Sequence, residues 1–289
     1  GRHRFDHGIR FRLLVQPEAM TLPGWTTFSF THDGLTRDVY RRGTGPGVLV
    51  MHEIPGITPR VEAFARRVAD EGYTVFMPDL FGEVGKPLAP GYALGQMARA
   101  CIRSEFAVLA SRGSSQVTRM LRALCLRLHD EAGGPGVGAV GMCLTGNFAL
   151  ALMVDPWLMA PVLSQPSLPF PTDKEARRGL HVSDDDLRVI KRRTREDGVT
   201  VLGLRFTGDP LCPKARFDRL RDELGAGFEG IEIDSRLGNP HGISPLAHSV
   251  LTEDLVDKAG HPTQRALHRV LALFDEKLRE PMRAAARDA

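Results

Sequence analysis

Three residues in this chain have the types and order to carry out acyl transfer, Cys143, Asp209 and His241, and a fourth titratable group, Glu53, lies on an earlier loop beside His52. A thiol is mostly protonated at neutral pH and becomes an efficient nucleophile when a base takes its proton. A histidine can be that base, and a carboxylate on its far ring nitrogen fixes the tautomer and steadies the imidazolium. Cys143 sits in Gly141-Met142-Cys143-Leu144-Thr145-Gly146, between a short apolar run and a stretch with helical spacing. This is the pattern of a nucleophile elbow, a sharp strand-to-helix turn that exposes one reactive side chain and needs small neighbours around it. The helix start behind the turn favours a thiolate and leaves the amide of Leu144 for an oxyanion. Taken alone, the same six residues also read as a buried cysteine at an ordinary turn.

The chain order nucleophile, acid, histidine is that of α/β-hydrolase triads. Asp209 lies in Thr207-Gly208-Asp209-Pro210 and His241 in Gly238-Asn239-Pro240-His241-Gly242, so each follows a predicted strand. Asp79 competes for the acid role, although Pro78-Asp79-Leu80 equally suits a structural turn. His248 and His261 compete for the base role, but the sequence reads them as lying within or after a later helical stretch. Cys101 and Cys125 fall on predicted helices and read as packing residues. Cys212 is near Asp209 in sequence, and packing is again the better reading.

The elements that must position these groups follow from periodicity. Residues 26–31 and 37–41 alternate around His32-Asp33-Gly34, which predicts an antiparallel hairpin. Continuous apolar runs at 47–51, 73–77, 137–142, 161–164, 200–206 and 230–233 predict buried parallel strands. Helical spacing marks the segment from Val61 to Ala69, then 97–109, 116–131, 184–196, 217–224 and 263–278. A Gly/Pro-rich loop is expected at 81–96 and a proline-rich one at 165–171. Alternating strands and helices predict a mostly parallel sheet covered on both faces. In such sheets ligands bind outside the carboxyl ends of the strands, which is where Glu53, Cys143, Asp209 and His241 all fall.

Composition narrows the class. The 289 residues suffice for one large α/β domain, expected over 24–289, with 1–23 as an arm bearing Arg2, Arg4, Arg10 and Arg12. Lys and Arg number 38 against 35 Asp and Glu, and a net charge of +3 is too small to argue for nucleic acid. No apolar run approaches the roughly 20 residues a bilayer span needs, so no membrane partner is expected. Four scattered cysteines do not form a disulfide framework, which makes a reducing cytoplasm the expected location. No His/Cys/Asp cluster has ligand spacing, so neither metal nor organic cofactor is expected.

The motif Gly-Met-Cys-Leu-Thr-Gly, with His52-Glu53-Ile54-Pro55-Gly56 before it and a later Gly-Asp-Pro and His-Gly, resembles the dienelactone hydrolase family from about Gly47 to the C-terminus. The resemblance implies an α/β-hydrolase fold and a Cys-His-Asp triad, with Cys143 as nucleophile, His241 as base and acid, and Asp209 as its orienter. It also implies that Glu53 contacts the resting thiol and helps to deprotonate it, and that the amides of Leu144 and Ile54 form the oxyanion hole. The family usually has Gly-Gly where this chain has Thr145-Gly146, which makes a more crowded turn. Members acting on dienelactone hold its carboxylate with arginines, one shortly after the catalytic histidine, where this chain has Ile243-Ser244-Pro245. Arg99 and Arg103 are the candidates for a replacement cation, against a plain surface placement.

The expected activity is therefore hydrolysis of a small-molecule ester or lactone through a thioester, with specificity shaped by the insertions 81–96 and 165–195. The rival expectation is a redox-responsive thiol protein on the same scaffold. It is disfavoured by the intact acid–histidine pair and by the lack of an evident resolving cysteine.

Overall fold

The computed structural model of the chain describes residues 22–102, 115–167 and 174–288. Eight strands form one sheet in the order β1-β2-β4-β3-β5-β6-β7-β8. β1 (Thr26–His32) and β2 (Leu35–Arg42) are the expected hairpin, and β2 then runs antiparallel to β4 (Thr74–Pro78). From β4 onward every neighbouring pair is parallel, through β3 (Gly47–Met51), β5 (Val137–Met142), β6 (Leu158–Ser164), β7 (Val201–Phe206) and β8 (Phe228–Ile233). The chain leaves β3 for β4 on one side and returns to β5 on the other. That reversal opens a crevice above the carboxyl ends of β3 and β5, the place where such sheets bind ligands.

The apolar runs are continuous because both faces of these strands are covered. Val48, Val50, Val140, Met142, Leu202 and Leu204 pack beneath α1 (Pro59–Asp70), while Leu49, Met51, Ala139 and Leu163 face the opposite layer. Helix α1 starts where Thr58 accepts a hydrogen bond from the Val61 amide and Pro59 takes the first turn. Helix α2 (Pro90–Ile102) begins seven residues before the sequence predicted, because Pro90 supplies a good first turn; the expected loop shortens accordingly. The remainder of that predicted helix, and the arm up to residue 21, lie outside the described residues.

Helix α3 (Gln116–Ala132), capped by Ser115, and the short α4 (Gly146–Ala151) cover the Leu49 face. The five-residue α5 (Lys174–Arg178) precedes α6 (Asp184–Glu196). Helix α6 was expected as solvated cover and is capped by Ser183 with three aspartates in its first turn. It nonetheless buries Leu187, Ile190 and Arg193. Helix α7 (Lys214–Leu224) adds Phe217 and Leu220 to the same layer. On the α1 side α8 (Pro262–Phe274) closes the core, packing so tightly on β5 that a Cβ at Gly138 would lie 2.9 Å from the Phe274 ring. The single C-terminal helix expected over 263–278 is broken by a π-turn at Asp275–Arg279 before α9 (Glu280–Asp288).

Candidate active site

Cys143 follows the last residue of β5 with φ +54°, a left-handed backbone that costs a non-glycine residue about 1–3 kcal/mol. The neighbours explain how it is held. A Cβ at Gly141 would sit 2.2 Å from the Thr145 carbonyl oxygen, and one at Gly146 would sit 2.8 Å from Pro166 Cα. Thr145, expected to crowd the turn, is fully buried and bonded into it. Its hydroxyl accepts from the Met142 amide at 2.9 Å and lies 2.9 Å from both the Met51 and Met142 carbonyls, so it ties the end of β5 to the end of β3. Helix α4 is six residues long, which leaves the strained turn itself, more than a helix dipole, to present the thiol.

Asp209, on the turn after β7, is buried and accepts from the Leu211 amide at 2.9 Å through Oδ1. Its Oδ2 lies 2.7 Å from Nδ1 of His248, not of His241. The expectation for His241 is corrected here. That residue is exposed, its amide bonds Asn239 Oδ1 at 3.1 Å, and its ring stacks edge-on against His261 at 5.3 Å, with no contact to Asp209. The segment at His248, expected to lie within or after a helical stretch, is instead a tight turn. The Asp254 carboxylate accepts from the His248 and Ser249 amides at 2.9 Å each, while Ala247, Val250 and Leu251 are buried beneath. The loop is drawn toward Asp209 by Gly208, where a Cβ would lie 2.7 Å from the Pro245 carbonyl. The usable sequence signal was the buried apolar triplet around His248, which fixes that histidine facing inward and leaves His241 on the outside.

The His248 side chain is 21% exposed, and its buried Nε2 bonds no nitrogen or oxygen among the described residues, which leaves the Cys143 sulfur as the group it faces. Burial alone would depress its pKa, but the nearby Cys143 and the Asp209 hydrogen bond outweigh that and raise it well above the ordinary histidine value. Cys143, His248 and Asp209 thus form one electrostatically connected group. Cys212 is buried, and burial pushes its thiol up to about 12; Cys125 is likewise a buried packing residue.

Glu53 is buried at the end of β3, but its carboxylate is turned on other partners than the thiol. Oε2 accepts from Ser249 Oγ at 2.7 Å and Gln165 Nε2 at 3.0 Å, and Oε1 accepts from Thr252 Oγ1. Burial raises its pKa, against the lowering effect of Thr252, His248 and Ser249. His52 is locked as a neutral tautomer: Nε2 accepts from the Leu80 amide at 3.0 Å, which leaves Nδ1–H to donate to the Glu53 carbonyl at 3.1 Å. Burial lowers its pKa to about 4. Leu144 is buried and Ile54 half-buried in the same apolar cluster as Cys143. Arg99 falls within α2, where the structure does not describe its side chain, and Arg103 lies outside the described residues. After His248 come Ser249, Val250, Leu251 and Thr252, again without an arginine. The sequence reading also passed over Arg216, whose buried guanidinium donates to the Pro166 carbonyl at 2.6 Å directly behind the elbow.

The family model of the dienelactone hydrolase family matches residues 37–276. The chain belongs to that family. It is accordingly a hydrolase of the ester and lactone class. A Saccharomyces cerevisiae protein named "Putative carboxymethylenebutenolidase" is 27% identical over 198 residues, covering 67% of this chain and 69% of the yeast protein. The carboxymethylenebutenolidase of Rhodococcus opacus is 27% identical over 108 residues, which cover 37% of this chain and 38% of that relative. Among solved structures, a dienelactone hydrolase-like promiscuous phosphotriesterase from metagenomic libraries superposes with a TM-score of 0.57 at 20% identity, covering 88% of this chain and 98% of that one. This likeness supports the α/β-hydrolase fold. Among the described residues no helix is long and apolar enough to cross a membrane.

Proposed function

We propose that the protein hydrolyses a small carboxylic ester or lactone through a thioester on Cys143, with His248 as proton carrier and Asp209 as its orienter. The observation that carries this reading is the 2.7 Å contact between Asp209 Oδ2 and His248 Nδ1, which leaves a buried, otherwise unpartnered Nε2 beside a thiol held at φ +54°. His248 Nε2, whose pKa is raised, takes the proton of the Cys143 thiol and becomes an imidazolium beside the resulting thiolate. The sulfur attacks the carbonyl carbon, and the resulting oxyanion is received by the backbone amides of Leu144 and Ile54. When the intermediate collapses, the C–O bond breaks and Nε2–H gives its proton to the leaving alkoxide. Neutral His248 then takes a proton from water, the hydroxide attacks the thioester, and the thiolate leaves as the acid is released. In a lactone the leaving alkoxide stays tethered to the acyl group, and the relatives' names favour that substrate type.

Glu53 enters this reading differently from what the family resemblance implied. Its lone pairs are engaged by Ser249, Thr252 and Gln165, so it supports the His248 segment and the imidazolium charge. The rival redox reading is weaker still with Cys212 buried at a thiol pKa of about 12, a poor resolving partner. A nucleophilic thiol without a disulfide framework suits a reducing compartment.

The test is intact-protein mass spectrometry after mixing with activated esters and lactones. A transient acyl adduct that turns over in the wild type and is absent in Cys143→Ala is expected. Turnover retained by Cys143→Ala would overturn the assignment.

A further inference from the structure

We infer that Gln165 is a positioning residue for the reaction: its side-chain amide joins Glu53 to the segment that carries His248, while its backbone stays tied to the elbow. The inference rests on the reading of Cys143 and His248 as the reacting pair, and nothing in the family resemblance assigned this residue a role.

Gln165 follows the last residue of β6, fully buried, with φ +34°, a conformation in which a glycine would be the unstrained choice. The long side chain retained there is therefore informative. Its Nε2 donates to Glu53 Oε2 at 3.0 Å, and its Oε1 accepts from the Val250 amide at 3.3 Å and from Ser164 Oγ. Its own amide donates to the Leu204 carbonyl at 2.7 Å, and its carbonyl accepts from Ser167 Oγ at 2.7 Å. Ser167 in turn donates its amide to the Cys143 carbonyl at 2.9 Å and accepts from Asn147 Nδ2 at 2.9 Å. Through these bonds one residue meets the loops after β3, β5 and β8. Val250 is two residues from His248, and Ser249 between them also bonds Glu53. Loss of the amide frees one side of the Glu53 carboxylate and one side of the His248 turn together. A misplacement of the proton carrier by about 1 Å is enough to cost on the order of 100-fold in rate.

Two substitutions separate positioning from stability. Gln165→Gly suits the left-handed backbone and removes the side chain. It is expected to stay folded by near-ultraviolet circular dichroism and to lose about tenfold or more in kcat at every pH, with KM changed about twofold or less. Gln165→Glu keeps the shape. Its protonated acid can donate to Glu53 as the amide does, whereas its ionised form sets two carboxylates about 3 Å apart. Such a pair shares a proton and releases it at raised pH. The ratio of Gln165→Glu to wild-type kcat should therefore be near one at about pH 5.5 and fall about tenfold by about pH 8. A ratio flat across pH, wild-type kcat in Gln165→Gly, or loss of activity that tracks unfolding alone would overturn the inference. Cys143→Ala, assayed alongside, keeps the outcomes distinct. If it is active the triad reading fails, and if it is inactive while the Gln165 variants behave as wild type, only the present inference fails.

Discussion

Two buried polar hubs sit at opposite ends of the sheet, and they differ in what they leave unused. At the amino end of β6, Arg193 of α6 is 2% exposed and donates to the carbonyls of Met153, Asp155, Leu158 and Pro156, with Nε on Asp197 at 2.9 Å. Each guanidinium nitrogen is used, which is what a charge needs in order to be buried without loss. At the carboxyl ends, Asp209 and Glu53 are equally well partnered, yet the network stops at His248 Nε2 and at a strained Cys143. The contrast separates a hub that holds the fold from one that holds reactive atoms in readiness. Substitutions in the two regions should have opposite signatures.

The largest expected effect is on turnover at the second hub. Cys143→Ala should abolish acyl transfer while changing stability by about 1 kcal/mol or less, since alanine keeps the backbone and loses one buried sulfur; steady-state kinetics and a urea melt check both halves. Asp209→Asn should lower kcat by on the order of 10³–10⁴-fold. It also removes one of the groups that raise the His248 pKa, so the alkaline limb of the pH–rate profile should move to lower pH. The sign for stability is the same: a raised histidine pKa stabilises the fold below its unfolded value of about 6.5 and the contribution fades as pH climbs through the folded value.

Next in size are effects on stability at the structural hub. Arg193→Met should cost about 3–5 kcal/mol in a denaturant melt, because four carbonyls lose their donor together. Activity per folded molecule should be unchanged. A loss of kcat in Arg193→Met without unfolding would erase the distinction between the hubs. Acid should act through His52, whose pKa is lowered to about 4. Between pH 6.5 and 4 the unfolded chain takes up a proton that the folded chain refuses, which removes about 3 kcal/mol of stability. His52→Gln should flatten that slope, as melts at several pH values can establish. The smallest effect is that of Thr145→Val, which removes the hydroxyl bridging β3 and β5 and should cost about 1–3 kcal/mol.

Much of this architecture was legible before any coordinates. Strands buried on both faces announce themselves as unbroken apolar runs, and the elbow announces itself because Gly141 and Gly146 stand where any Cβ would collide. The position of Asp209 was legible because it follows a strand within a turn. The histidine was not. Three histidines, His241, His248 and His261, lie between β8 and α8, and the choice among them is made by tertiary contacts: Asp254 capping the His248 turn, and buried Ala247, Val250 and Leu251 orienting it. The sequence placed His248 within or after a helical stretch, whereas that apolar triplet anchors a turn. The partners of Glu53 were hidden for the same reason, since Gln165, Ser249 and Thr252 lie 112, 196 and 199 residues from it along the chain.

The most direct measurement is a side-by-side comparison of His248→Asn and His241→Asn on one activated ester, with folding checked by circular dichroism. His248→Asn should lose on the order of 10³-fold or more in kcat/KM, and His241→Asn should remain within about twofold of wild type. The reverse order, or equal and small losses, would contradict the assignment of the proton carrier and with it the site described here.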